Sequence, residues 1–169
     1  MKTSRTKILP LQYEDFDEVI EMYHEPDSNK FIQPLKDKSD AFYRTFLARK
    51  IEANKTVNQF WVVRELSGNQ FVGTLNLNQF SDTNMIHIGC HLAVDYWNKG
   101  FGKELMKRII KFGFEERELE SIHAVIDTQH EVSLKLFENL GFKFFENREL
   151  EGVKLNILRL EKKQLNTTY

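Results

Sequence analysis

Cysteine is almost missing from this chain. Cys90 is the sole one, so no internal disulfide can hold the fold together, and neither Cys-x-x-Cys nor His-Glu-x-x-His is present. A metal site is therefore not expected. No apolar run approaches the length of a bilayer span or of a signal-peptide core, which places the chain in the cytoplasm and away from membranes. An excess of either charge is also lacking. Twenty-four lysines and arginines face 25 aspartates and glutamates, for a net charge of −1, which argues against a surface that coats nucleic acid. Prolines number three, and there is no repeat, low-complexity tract or linker.

What is present suits one domain over residues 1–169, with 41% hydrophobic residues to fill a core. Residues 6–11 read as a short strand that Pro10 assigns to an edge or an end. Phe16, Val19, Ile20 and Tyr23 then recur with helical spacing, and 25–38 reads as an irregular loop long enough to shape a substrate entrance. A second helix is expected over 39–53, with Tyr43, Leu47 and Ile51 four apart. Strands over 59–66 and 70–80 flank the turn Ser67-Gly68-Asn69, and Ser81-Asp82-Thr83-Asn84 leads into a further strand over 86–94.

After that strand comes Tyr96-Trp97-Asn98-Lys99-Gly100-Phe101-Gly102-Lys103, and then a helix with Phe101, Leu105, Ile109 and Phe112 on one face. A glycine turn opening a helix is an anion site, because the first helical amides lack internal partners and the peptide dipoles add partial positive charge. Gly100 and Gly102 withhold the β-carbons that would keep a pyrophosphate away, while Asn98, Lys99 and Lys103 add donors. The alternative is a glycine turn that merely caps a helix. A nucleotide P-loop is excluded because Gly102-Lys103 is followed by Glu104, and a dinucleotide fingerprint because its third glycine position is Leu105. Residues 121–127 form the next strand, expected to lie parallel to 86–94 across the intervening helix. Thr128 with Glu131 predicts a capping box for a helix closed by Gly141. A hairpin over 142–150 and 153–160 follows, then a polar tail from 161.

This order of elements resembles the GCN5-related N-acetyltransferase (GNAT) family over nearly the whole chain. Trp97-Asn98-Lys99-Gly100-Phe101-Gly102 is similar to that family's Gln/Arg-x-x-Gly-x-Gly/Ala motif. His130-Glu131-Val132-Ser133, running through Glu138-Asn139-Leu140-Gly141-Phe142, is similar to its Asn-x-x-Ser helix ending in Leu-Gly-Phe. The aromatic Asp95-Tyr96-Trp97 further resembles the branch of ribosomal-protein N-terminal and spermidine acetyltransferases. The resemblance implies an α/β fold, a mostly antiparallel sheet of about seven strands with a central, parallel, splayed pair and flanking helices. It implies acetyl-CoA as cosubstrate, its pantetheine on the backbone of Leu92, Ala93 and Val94 and its pyrophosphate on the amides of Asn98, Lys99, Gly100, Phe101, Gly102 and Lys103. His130, Ser133 and Phe137 would line the thiol end, and an amine would attack the thioester directly.

Three departures bear on catalysis. Phe137 stands where many members carry a tyrosine acid, and His130 where they carry asparagine. His87 occupies the place of a glutamate in relatives, and with an ordinary pKa of about 6.5 it is a candidate base, or simply a half-exposed strand histidine. Strand alternation puts His87, Gly89, His91 and Ala93 on one face and Cys90 with the core on the other. A weak base favours an amine of low pKa, on a peptide or protein N-terminus or a small molecule. A polyamine is the alternative, because Glu14, Asp15, Asp17, Glu18, Glu21 and Glu25 could make the first helix acidic. A sensor or scaffold that binds acetyl-CoA without catalysis is the reading from another class. Edge strands of the closing hairpin could pair two copies into a homodimer.

Overall fold

The computed structural model describes residues 1–54, 58–80 and 83–163. Seven strands, β1 (Thr6–Pro10), β2 (Gln59–Glu65), β3 (Phe71–Gln79), β4 (Ile86–Leu92), β5 (Ser121–Asp127), β6 (Lys143–Leu150) and β7 (Val153–Glu161), form one sheet ordered β1-β2-β3-β4-β5-β7-β6. Every neighbouring pair is antiparallel except β4 and β5. Pro10 ends the edge strand β1, where its missing N–H costs no ladder bond. Four α-helices, α1 (Phe16–His24), α2 (Asp40–Ala53), α3 (Phe101–Lys111) and α4 (Glu131–Asn139), cover the two faces. The α/β class with its mixed sheet and parallel central pair is as expected. Ser81, Asp82 and the tail beyond 163 lie outside the described residues.

Each face has its own apolar packing. On one, α3 turns Leu105, Met106, Ile109 and Ile110 onto Leu75, Leu77 and Ile88, and α4 adds Phe137 and Leu140. Leu105 and Ile109 are fully buried, each worth about 2 kcal/mol of transfer free energy. On the other face, Val19, Ile20 and Tyr23 of α1 and Tyr43 and Leu47 of α2 pack on Phe60 and Val62.

The helix ends show which local signals held. Ser39 caps α2, its hydroxyl accepting from the Phe42 amide at 3.3 Å. Gly141, at φ +91°, closes α4 with a bond from its own amide to Glu138 O and one from Phe142 N to Phe137 O. The capping box from Thr128 to Glu131 does not form. Asp127 takes the role instead, its carboxylate accepting from Gln129 N at 2.8 Å and its carbonyl from His130 N, so α4 begins at Glu131. The strand expected over 86–94 ends at Leu92, because Val94–Tyr96 close a 3-10 turn on Ala93 and Val94 carbonyls.

Candidate active site

The site originates in an interrupted pairing. β4 follows β3 along its whole length and β5 follows β7 likewise, yet β4 and β5 meet at one register pair, His87 with His123. Beyond it the two strands diverge. The cavity that results, about 510 Å³, runs between Gly89–His91 of β4 and Val125–Asp127 of β5. It reaches α4 at His130, Ser133 and Phe137 on one side of the sheet, and α2 at Phe46 and Lys50 on the other. One opening therefore joins both faces.

At the head of α3 the turn has the geometry of an anion cradle. Asn98 and Gly100 are both left-handed, at φ +57° and +81°. The helix's first backbone bond runs from Glu104 N to Gly100 O, so the amides of Phe101, Gly102 and Lys103 have no helical acceptor. Gly102 plays a different part from Gly100. A β-carbon on it would meet Leu136 and Leu92 side chains at 3.7 and 3.8 Å, ordinary contact distances. The Phe101 side chain is buried, with the Arg5 guanidinium 3.8 Å above its ring. Arg5 also donates to Lys99 O at 3.0 Å and pairs with Glu104 at 2.7 Å, bracing the turn from just ahead of β1.

The three residues closing β4 are less free than expected. Ala93 donates its N–H to Val72 O, and its carbonyl accepts from Tyr96 N. Its backbone N–H and carbonyl each have a partner within the chain. The Leu92 carbonyl accepts from the Trp97 indole at 2.8 Å, and the Val94 amide donates to Glu25 Oε2 at 2.7 Å. Because Ala93 bonds toward β3, ladder alternation turns the Leu92 amide toward the gap.

Titratable groups in the cavity are shaped by burial. His87 is pushed down to about 4, first by desolvation and then by the charge of Lys50. The expectation that its imidazole titrates near neutrality therefore fails. The Asn78 backbone offsets part of that shift, and among the described residues the buried Nδ1 of His87 has no hydrogen-bond partner. His91 is likewise held at about 4 by burial, its Nε2 2.6 Å from Ser28 Oγ and its ring stacked on Tyr23. Burial pushes the Cys90 thiol up to about 12, far from any nucleophilic role. His130, lowered by burial, stacks on Phe31 with centroids 4.4 Å apart, so the 25–38 loop reaches across to α4. Among the described residues no group of three His, Cys, Asp or Glu is placed to hold a metal. Nor is any helix there long and apolar enough to cross a membrane.

A family model described as the acetyltransferase (GNAT) domain matches residues 5–143. The chain belongs to the GNAT family. An N-acetyltransferase of uncharacterised role from Bacillus licheniformis, p20, is 26% identical over 144 residues, 83% of this chain and 80% of p20. An acetyltransferase of the same family from Bacillus anthracis superposes with a TM-score of 0.82 at 20% identity, over 96% of this chain and 98% of that one. The spermidine N-acetyltransferase of Vibrio cholerae, solved with CoA and spermine, gives 0.79 at 14% identity, over 95% and 97%. These likenesses at low identity concern the fold. Membership in the GNAT family makes the protein an acyltransferase of a family that uses acetyl-CoA.

Within this GNAT chain several cavity residues escaped the sequence reading although the sequence carried a trace of them. Asn76 and Asn78 alternate with Leu75 and Leu77 in the middle of β3, facing Gly89 and His87 across the strand pair. A β-carbon on Gly89 would sit 2.9 Å from Asn76 Oδ1, so that glycine makes room for the amide. Lys50 interrupts the inner stripe of α2, seven residues after Tyr43 and three after Leu47. Polar residues at buried periodic positions were the available signal. Of the acidic residues of the first helix and the loop after it, Asp15 and Glu18 both pair with Arg64, Asp17 pairs with Arg44, and the Glu25 carboxylate accepts from Val94 N. None of the six lines the cavity.

Proposed function

We propose that the protein transfers an acetyl group from acetyl-CoA directly to a primary amine, on a peptide or protein N-terminus or on a small molecule. The observation that carries this is the gap after the His87 and His123 pair, which connects the α4 side to the α2 side through the sheet. The residues fit the cosubstrate: three uncapped amides and a left-handed Gly100 suit a pyrophosphate, and the Leu92 amide turns away from β3 toward the gap. Acetyl-CoA supplies the acetyl group already activated as a thioester. Asn98, Lys99, Gly100, Phe101, Gly102 and Lys103 would hold it at the turn, and His130, Ser133 and Phe137 would line its thiol end.

This chain's part is chiefly positioning. His87 and His91 are neutral at pH 7 and weak as bases, so the amine is best taken in its unprotonated form and oriented by the polar groups of β3 and β4. His87 Nδ1 can accept a hydrogen bond from the amine N–H as it does so. The cavity continues to Lys50 and Phe46 beyond the sheet, which favours a catalyst with room for an acceptor over a sensor that only holds acetyl-CoA. Calorimetric titration with acetyl-CoA, beside ATP and NAD, tests the first half, and thiol release across an amine panel tests the second. Selective acetyl-CoA binding followed by amine-dependent thiol release is expected. Absence of binding by the folded protein would overturn the proposal.

A further inference from the structure

On the α2 side, the cavity contains a cation that no described carboxylate pairs. Lys50 is half-buried in its wall, with Nζ 4.9 Å from the Phe46 ring centroid and 6.0 Å from that of Phe60. Among the described residues it forms no ion pair, and burial lowers its pKa. An aromatic flank offsets part of the cost of withdrawing an ammonium from water, but a carboxylate would offset far more, and none of the described carboxylates takes that place. Among the described residues two carboxylates line the cavity. Asp127 accepts from Gln129 N at the start of α4, and Glu151 is exposed on the turn between β6 and β7.

The groups sharing this wall are uncharged. Asn76, Asn78 and Gln33 offer side-chain amides, and His87 and His91 are neutral. A positive wall of this kind repels a substrate that carries only ammonium groups. It attracts one that brings its own negative charge, and the modest charge supplied by one lysine with amide donors matches a carboxylate better than a doubly charged phosphate.

We infer that the acceptor is a small amine bearing a carboxylate, an amino acid or a derivative of one, and that Lys50 binds that carboxylate. The inference rests on the proposed acetyl transfer. In that transfer an N–C bond forms and the thioester C–S bond breaks, the amine gives up one proton and the sulfur leaves as the free thiol, while the acid group passes through unchanged.

Matched acceptors test it. Amino acids, the same compounds as carboxamides, their decarboxylated amines, spermidine and short peptides are compared for thiol release from acetyl-CoA. The acids are expected to show kcat/KM about tenfold or more above their carboxamides. Lys50→Met is expected to raise KM for the acid by about tenfold to a hundredfold with little change in kcat, and so to erase most of the preference for the acid over its carboxamide. Lys50→Arg should retain part of the preference. Calorimetry with the N-acetylated acid supplies a readout independent of turnover, and K50M should bind it about tenfold more weakly. Turnover of spermidine, carboxamides or peptides in preference to the acids overturns the inference, as does turnover of none of the acids, or acetylation of Lys50 itself detected by mass spectrometry. Failure to bind acetyl-CoA at all would instead overturn the acetyl transfer on which it rests.

Discussion

The carboxylate of Glu25, just past the end of α1, accepts the backbone N–H of Val94, just past the end of β4, at 2.7 Å. It ties the entrance loop to the strand end, and it occupies an amide that the family resemblance assigns to pantetheine. A ligand that uses this amide must displace a charge-assisted hydrogen bond. Glu25→Ala is therefore expected to tighten acetyl-CoA binding by about threefold to tenfold, read by calorimetry. Unchanged affinity would show that Val94 is not a contact.

The two glycines of the turn should respond differently. Gly100 sits at φ +81°, where a β-branched side chain is strained by at least about 1–2 kcal/mol. Gly100→Val is expected to weaken acetyl-CoA binding by at least about a hundredfold while circular dichroism still reports a folded chain. Gly102→Ala places its methyl against Leu136 and Leu92 at ordinary distances and should bind within about threefold of the parent. Equal binding by G100V and the parent would remove the cradle assignment.

Arg64 is the structural partner of the acidic first helix. It pairs with Asp15 at 2.8 Å and with Glu18, and both Arg64 and Asp15 are largely shielded from water. Arg64→Met strands the Asp15 carboxylate and is expected to cost about 2–4 kcal/mol, measured as a shift in urea midpoint. Adding Asp15→Asn should recover part of that loss. A double variant as unstable as the single one would mean that the stranded charge is not the cause.

The two cavity histidines predict acid sensitivity with a definite sign. Above pH 6.5 both His87 and His91 are neutral whether the chain is folded or not. As pH falls from there toward about 4, the unfolded chain binds protons that the folded chain refuses, so stability is lost. The loss at pH 5 is about 2 kcal/mol per histidine. Urea unfolding at pH 7 and pH 5 measures it, and His87→Gln should narrow the difference. A difference as wide in that variant as in the parent would assign the acid sensitivity to other groups.

Much of the architecture follows local rules that can be read in one dimension. The period of Leu105, Ile109 and Phe112, the positive φ that Gly141 was expected to supply, and the alternation of His87, Gly89 and His91 each depend on neighbours within a few residues. Thr128 failed as a cap for the same reason turned around. Asp127, one residue earlier, closes the turn with both its side chain and its carbonyl, and two local signals competed. The acidic residues of α1 read as a patch because their partners, Arg44 and Arg64, arrive from α2 and β2.

The sequence by itself determined the order of elements, the glycine turn and the family likeness, because hydrophobic period, chirality and chain reversal are short-range properties. Only the tertiary structure decided where β4 leaves β5, that Lys50 comes near enough to His87 to lower its pKa, and that Glu25 reaches Val94. Desolvation and Coulomb energy depend on what surrounds a group in space, and those surroundings come from distant parts of the chain.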